Sequence, residues 1–470
     1  MSITQMNSNL KTVLENLFQS NKELFVESSH SALNIIRQNA IKEFSLSGFP
    51  DTRSEAWRFT DISALIQKEY LFDFQSKSRK FDISTIFTCE INDLDTYSVT
   101  LLNGWYVYHR APLTRFDNGV VIGSLAKAIK EYPNLVEKYI TTATSANSKG
   151  GIVALNTAFI QDGLFVYVPK GVKVEKPIQL INIVDSSHPV FIQPRSLVIA
   201  EQDSELSLVH CDHALAHTPS LSNAVLEVFL MPGARIDHYK VQNKGKNSAL
   251  FTSTFFKLLD NSEVSSNIIT LNGGFTRNFV SLDLARPNAQ ATISGLYLVD
   301  KNQFVDNQIQ VNHASPDCHS NQLFKGILDD EAKAVFSGAI KVHKDAQRTR
   351  AYQNSKNLLL TRQAKVNTQP HLEIYADDVK CSHGATIGQL DANALFYLRS
   401  RGISEKSARQ LLMHAFADEV VRKISIEPLR QRIANMVDKR LKGELSLCDQ
   451  CVLHCSDNVP ATFNLDLSKI

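Results

Sequence analysis

The sequence predicts a mainly β protein with helices at both ends. A coil-stacked β core spans 151–388, a mixed and largely helical region (1–150) precedes it, and a small helical domain (389–445) leads into a cysteine-bearing tail (446–470). Three observations carry this reading. Between 151 and 388, short runs of Val, Ile, Leu, Phe and Thr alternate with Gly, Asn, Asp and Pro, without helical periodicity. A turn with a small residue, followed by a period-two strand, recurs there at a nearly constant interval. Helical spacing and capping signals hold on either side.

In the first region Leu10, Val13, Leu14, Leu17 and Phe18 fall at helical spacing, and Leu33, Ile36, Arg37 and Ala40 continue in a second helix. Gly48-Phe49-Pro50 breaks that pattern, and 125–140 reads as a further helix. The core then runs strand after strand, as at 164–168, 178–184 and 225–230. Its repeat is carried by Ser204, Ala234, Ser262 and Ala289, spaced by 30, 28 and 27 residues, with weaker echoes at Ala332 and Ala364. A drifting repeat of this size fits a β-helix or solenoid, in which each coil buries its inner face against its neighbours. A β-sandwich competes on pattern alone. A solenoid also has open strand edges at its ends, which need covering or a partner strand.

After Gly388, Asp391 is placed to cap a helix that stops at Gly402, and Ser404 to cap the next. That second helix carries Leu411, Leu412, Phe416 and Val420 on one side. Pro428 opens a third helix, followed by Leu429, Ile433, Met436, Val437 and Leu441. From Arg399 to Gly443 there are eleven basic and five acidic residues, a solvated basic face or a surface that docks another protein.

Composition narrows the function. Fifty basic against 48 acidic residues give a net charge of +2, too even for a nucleic-acid binder. No apolar run reaches membrane-spanning length and the first thirty residues lack a signal core, so a cytoplasmic protein is expected. Seven unevenly spread cysteines do not form a disulfide framework. Phosphate-cradling loops, nucleophile elbows and zinc-protease helices are missing, and Gly273-Gly274 reads as a turn. A β-helix enzyme acting on polysaccharide would need paired carboxylates on one face, which are not evident.

Two patches could carry chemistry. In 379–388, Cys381 and His383 stand two apart on an extended strand and so share a face. Thiolate and imidazole are both good zinc or iron ligands, yet two ligands cannot close a tetrahedral site, so a second chain would supply the rest. A buried thiol and a hydrogen-bonded histidine at a turn is the plainer alternative. In the tail, Cys448, Cys451 and Cys455 have C-x2-C-x3-C spacing suited to a metal or iron–sulfur cluster, one ligand short unless His454 or another residue supplies it. Used alone, that triad would make the chain a stand-alone metal or iron–sulfur carrier. His313, Cys318 and His319 read as structural.

Three segments resemble the SufB/SufD family of iron–sulfur cluster assembly proteins: Glu55-Ala56-Trp57-Arg58-Phe59-Thr60-Asp61, the run from Pro370-His371-Leu372-Glu373-Ile374 through Lys380-Cys381-Ser382-His383-Gly384-Ala385-Thr386, and Gly402-Ile403-Ser404-Glu405-Lys406-Ser407-Ala408-Arg409. The Trp57 segment and the lack of an N-terminal cysteine cluster resemble its SufD branch, whereas the Cys448 tail is not part of that pattern. The resemblance implies a right-handed parallel β-helix between two helical regions. It implies a non-catalytic scaffold subunit that pairs with SufB through β-helix edges and docks the ATPase SufC on its C-terminal helices, at Ser404, Arg409, Leu411, Leu412 and Phe416. His383, with Cys381 beside it, would face a SufB cysteine where a nascent cluster forms. No cofactor is expected on the chain alone, a transient iron–sulfur cluster and a flavin in the complex, and a homodimer when the chain is isolated.

Overall fold

A computed structural model of the chain describes residues 10–28, 31–74, 94–107, 111–144, 150–214 and 218–443. Its core is a two-sheet β-solenoid. From β9 (Glu205–Ala214) to β21 (Val379–Gly388), successive strands alternate between the sheets, and each pairs in parallel with the strand two positions on. Odd strands build the first sheet; even strands, from β10 (Ser220–Leu230) to β20 (Lys365–Ile374), build the second. This parallel winding is the expected β-helix and excludes the sandwich, whose sheets are antiparallel.

The repeat read from the sequence is one corner of the coil. Ser204, Ala234, Ser262 and Ala289 are all fully buried, and the column continues at Cys318 and Thr349. The residue before each one has positive φ: Asp203, Gly233, Asn261, Asn288, Asp317 and Arg348. Gly, Asn and Asp tolerate that left-handed conformation best, which explains the turn composition. These residues are laced from coil to coil by backbone bonds, from Asp203 N–H to Pro232 O (2.9 Å) through Arg348 N–H to Asp378 O (2.6 Å). Ala332 and Ala364 are not echoes of this corner. They precede β18 (Lys333–Val342) and β20, and so belong to a corner of the second sheet.

Between the sheets lies the main core, with Leu208, Ile236, Val264, Ile293 and Phe324 facing Val228, Phe256, Leu282, Ile309 and Phe336. One strip of the interior is polar and satisfied internally: Gln242 Nε2 and Thr252 Oγ1 donate to Asn278 Oδ1, and Asn278 Nδ2 donates to Asn307 Oδ1.

At its beginning the solenoid ends in short antiparallel strands. In the first sheet the antiparallel pair β1 (Tyr97–Leu102) and β2 (Trp105–Val107) precedes β6 (Ile178–Val184). In the second, β3 (Leu113–Arg115) and β4 (Val121–Ser124) pair antiparallel beside β5 (Leu164–Val168). Helices α1 (Leu10–Ser20), α2 (Lys22–Ser28) and α3 (Ser31–Ser47) confirm the helical spacing near the N-terminus, and a short α4 (Ser63–Ile66) follows. The helix expected over 125–140 is two, α5 (Leu125–Glu131) and α6 (Pro133–Tyr139), because Pro133 starts a new helix. Residues 151–158, expected to open the β core, form helix α7 (Gly151–Ala158). All eight of its residues are buried, so no amphipathic period marks it. A Cβ at Gly151 would lie 1.8 Å from Gly48 O, so only glycine lets α7 cross α3 there.

Buried ion pairs fix the helices to the sheets. Arg195 donates to Glu227 Oε2 (2.6 Å) and to Asn156 and Thr157 of α7. Arg277 pairs with Asp306, stacks on Trp57 (3.7 Å to the ring centroid) and donates to Ala56 O, while Thr60 Oγ1 donates to Asp306. The Trp57 segment is thus a docking strap for the N-terminal region.

The C-terminal helices α8 (Ala392–Ser400), α9 (Glu405–Val421) and α10 (Glu427–Lys442) form as the capping signals predict. Asp391 accepts from Asn393 and Ala394 N–H, Ser404 Oγ accepts from Ser407 N–H, and Gly443 closes α10 in the left-handed region. The buried face of α9 is Met413, Ala417, Val420 and Val421, against Leu296, Leu298, Leu323 and Ile327 of the first sheet. Arg440, buried, clamps α10 by donating to Leu271 O (2.9 Å) and to both oxygens of Asp300.

Candidate functional site at the open end of the solenoid

The last coil is built unlike the others. β20 and β21 end the two sheets, each pairing on one side only, with β18 and β19 (Thr349–Leu359) respectively. Earlier strands such as β6 and β10 are buried along their whole length, whereas most of β21 is exposed. Both free edges offer backbone donors and acceptors to another strand.

The two edges differ. Lys365 N–H and Tyr375 N–H donate inward, to Ala332 O and Val342 O of the preceding coil. Backbone direction alternates along a strand, so the even-numbered residues of β20 face outward. Pro370, which has no N–H, therefore interrupts the free edge of β20, while β21 contains no proline.

The structure brings Cys381 and His383 together on β21, in register with Ala351 and Gln353 of β19. Cys381 packs partly buried against the main core, and burial raises its thiol above the ordinary value, favouring the protonated form. His383 is exposed at the rim. Its register partner Gln353 points between the sheets and donates Nε2 to Gly338 O of β18 (3.2 Å), so His383 continues an inward-facing column at the mouth. An imidazole there is solvent-reachable, while the thiol two residues away lies deeper.

Large apolar side chains are exposed at the ends of the last strands, Ile374 (40% exposed) and Tyr375 after β20 and Ile387 (48%) on β21, and on α8, Phe396 (73%) and Tyr397. Of the five docking residues expected on α9, Ser404 is the N-cap and Arg409 pairs with Glu405. Leu411 is exposed and Leu412 half-buried. Phe416 packs towards the solenoid, where Lys325 sits over its ring (4.4 Å) and donates to its carbonyl (2.8 Å). Val420, expected on the same side as Leu411, faces the sheet instead, because the buried stripe follows 413, 417, 420 and 421.

Cys318 is a buried corner residue and His313 meets Ser320 Oγ (2.8 Å), consistent with structural roles. Among the described residues no group of three or more His, Cys, Asp or Glu side chains is arranged to hold a metal ion. Cys448, Cys451 and Cys455 lie outside the described residues. No described helix is long and apolar enough to cross a membrane. Residue spacing offers no sign of Gln353 or Gly338; the coil-to-coil register places Gln353 beside His383, and its amide reaches Gly338.

Comparison with known proteins agrees with this architecture. A family model described as SUF system FeS cluster assembly, SufBD core domain, matches residues 182–416, and one for the SufBD protein N-terminal region matches 8–180. The chain is 29% identical over 417 residues to an iron–sulfur cluster assembly SufBD family protein of Synechocystis, covering 86% of this chain and 90% of that protein. It is 27% identical to the iron–sulfur cluster assembly protein SufD of Escherichia coli (86% and 92% covered) and 26% identical to SufD of Bacillus subtilis (69% and 75%). A parallel β-solenoid flanked by these helices, with both family models aligned along it, makes this chain a member of the SufBD family of iron–sulfur cluster assembly proteins.

Proposed function

We propose that the chain is the SufD-type scaffold subunit of an iron–sulfur cluster assembly complex, without catalytic chemistry of its own. In this reading it pairs with SufB through the strand edges of its last coil and docks the SufC ATPase on its C-terminal helices. The observation that carries it is the last coil: two ten-residue strands with unpaired edges, and an exposed imidazole on one of them, end the solenoid. The uninterrupted edge of β21 is the better pairing strand, because Pro370 removes a donor from β20.

The nascent cluster is the substrate. His383 offers it one ligand from this chain and the partner supplies the others, since neither His383 nor the His383–Cys381 pair completes a tetrahedral set. Cys381, protonated and half-buried, is the lesser candidate. Leu411, Phe396 and Tyr397 are the exposed apolar side chains on which SufC would seat, with Ser404 and Arg409 ordering the start of α9. Cytoplasmic location and a flavin in the complex belong to the same proposal, whereas metal on the Cys448, Cys451 and Cys455 tail belongs to the stand-alone alternative.

Co-expression with SufB and SufC tests it. The expected result is a stable ternary complex in which His383→Ala still binds both partners but assembles far less cluster. A lone chain that carries iron, lost on Cys451→Ala, with no complex formed, would instead identify a stand-alone carrier.

A further inference from the structure

We propose that Gln353 is a positioning residue for His383: its side-chain oxygen accepts the N–H of one imidazole nitrogen and so leaves the other nitrogen free to ligate. This rests on the reading of His383 as a cluster ligand. Gln353 is 3% exposed and stands directly below His383 in the parallel register of β19 and β21. Neighbouring strands lie about 4.8 Å apart with register partners on the same face, so the imidazole is within reach of the amide. The amide's orientation is fixed by chemistry. Gly338 O can only accept, so Nε2 must be the atom that faces it (3.2 Å), and Oε1 is the free end. That Oε1 is buried and accepts no hydrogen bond in this structure, so the exposed His383 ring has to turn inward to donate to it.

Backbone space has been cleared for this amide. A Cβ at Gly338 would lie 2.0 Å from Gln353 Nε2 and 2.9 Å from Oε1, so glycine on the facing sheet admits the side chain. An amide tethered at one end and unsatisfied at the other, one rung below an exposed histidine, is the arrangement that selects a tautomer. Metal-ligating histidines generally donate their second N–H to an oxygen that fixes ring orientation and tautomer. Gln353 supplies such an oxygen, and a buried acceptor left unmade is costly enough to favour the bond.

The test reads tautomer and assembly separately, on the full-length chain. Nitrogen-15 spectra of histidine-labelled protein, with the His383 signals assigned by their loss in His383→Asn, give the ratio of the two neutral tautomers. Wild type should hold predominantly one. Gln353→Met, which keeps the volume and removes the acceptor, should move the ratio towards the other by about fivefold, the worth of one ordinary hydrogen bond. Gly338→Ala should act in the same direction with Gln353 still present. Cluster assembly in the SufB- and SufC-containing complex should fall several-fold in Gln353→Met without loss of partner binding. A tautomer ratio unchanged in both Gln353→Met and Gly338→Ala overturns the role of Gln353, whatever His383 ligates. Full assembly by His383→Ala instead overturns the ligand reading on which the inference rests, and leaves the tautomer result standing by itself.

Discussion

The two ends of the solenoid are made from the same coil and finished in opposite ways. At the beginning, antiparallel strands terminate both sheets, helices α5–α7 cover the outer face of the second sheet, and buried Arg195–Glu227 bolts α7 to it. At the other end, β20 and β21 stand with free edges, and the ion pairs around them are exposed. An edge left open over a full coil invites pairing with another chain, and folds that have no use for one blunt it. The beginning therefore serves the stability of the chain, and in the proposed function the open end serves its association.

The sharpest way to break this contrast is to make the same substitution at both ends. Arg195→Ala leaves Glu227 charged and buried, and should cost about 3–5 kcal/mol in urea unfolding, read as a lower midpoint. Arg348→Ala removes the matching pair at the open end, with Asp317, where the arginine side chain is 58% exposed. That change should cost no more than about 1 kcal/mol, because solvent screens the pair. Similar losses at the two sites would contradict the contrast.

An intermediate effect comes from the interior histidines. His313 is held down to about 4 by burial and by His319, and His238 well below its ordinary value by burial and by Lys240. The unfolded chain then binds protons that the folded chain refuses. Stability should be complete above about pH 6.5 and fall towards pH 4, by about 1.4 kcal/mol per pH unit for each histidine. His313→Asn should flatten that slope. The smallest effect is expected at the rim: Ile387→Ala should leave the isolated chain within about 0.5 kcal/mol of wild type while weakening partner capture.

The difference between the ends was only half legible in the sequence. The corner repeat at 204, 234, 262 and 289 was readable because a left-handed turn followed by a small buried residue restricts composition at two adjacent positions. It was lost at Cys318 and Thr349, which fill the same corner with different chemistry. Helix α7 was unreadable because burial on every side erases the helical period, and strands β1–β4 are too short to stand out in a region with helical signals. At the site, Cys381 and His383 were readable as a spaced pair on a strand. Gln353 and Gly338 were not, because their meaning depends on a register between residues 30 and 15 positions apart in the chain.

The measurement that bears most directly on the open end is backbone hydrogen exchange on the isolated chain and on the same chain bound to SufB. The outward-facing N–H groups of residues 379–388 should exchange quickly in the isolated chain and become strongly protected in the complex, with β20 protected less around Pro370. Unchanged exchange across β20 and β21, with new protection elsewhere, would contradict the assignment of this coil as the pairing surface.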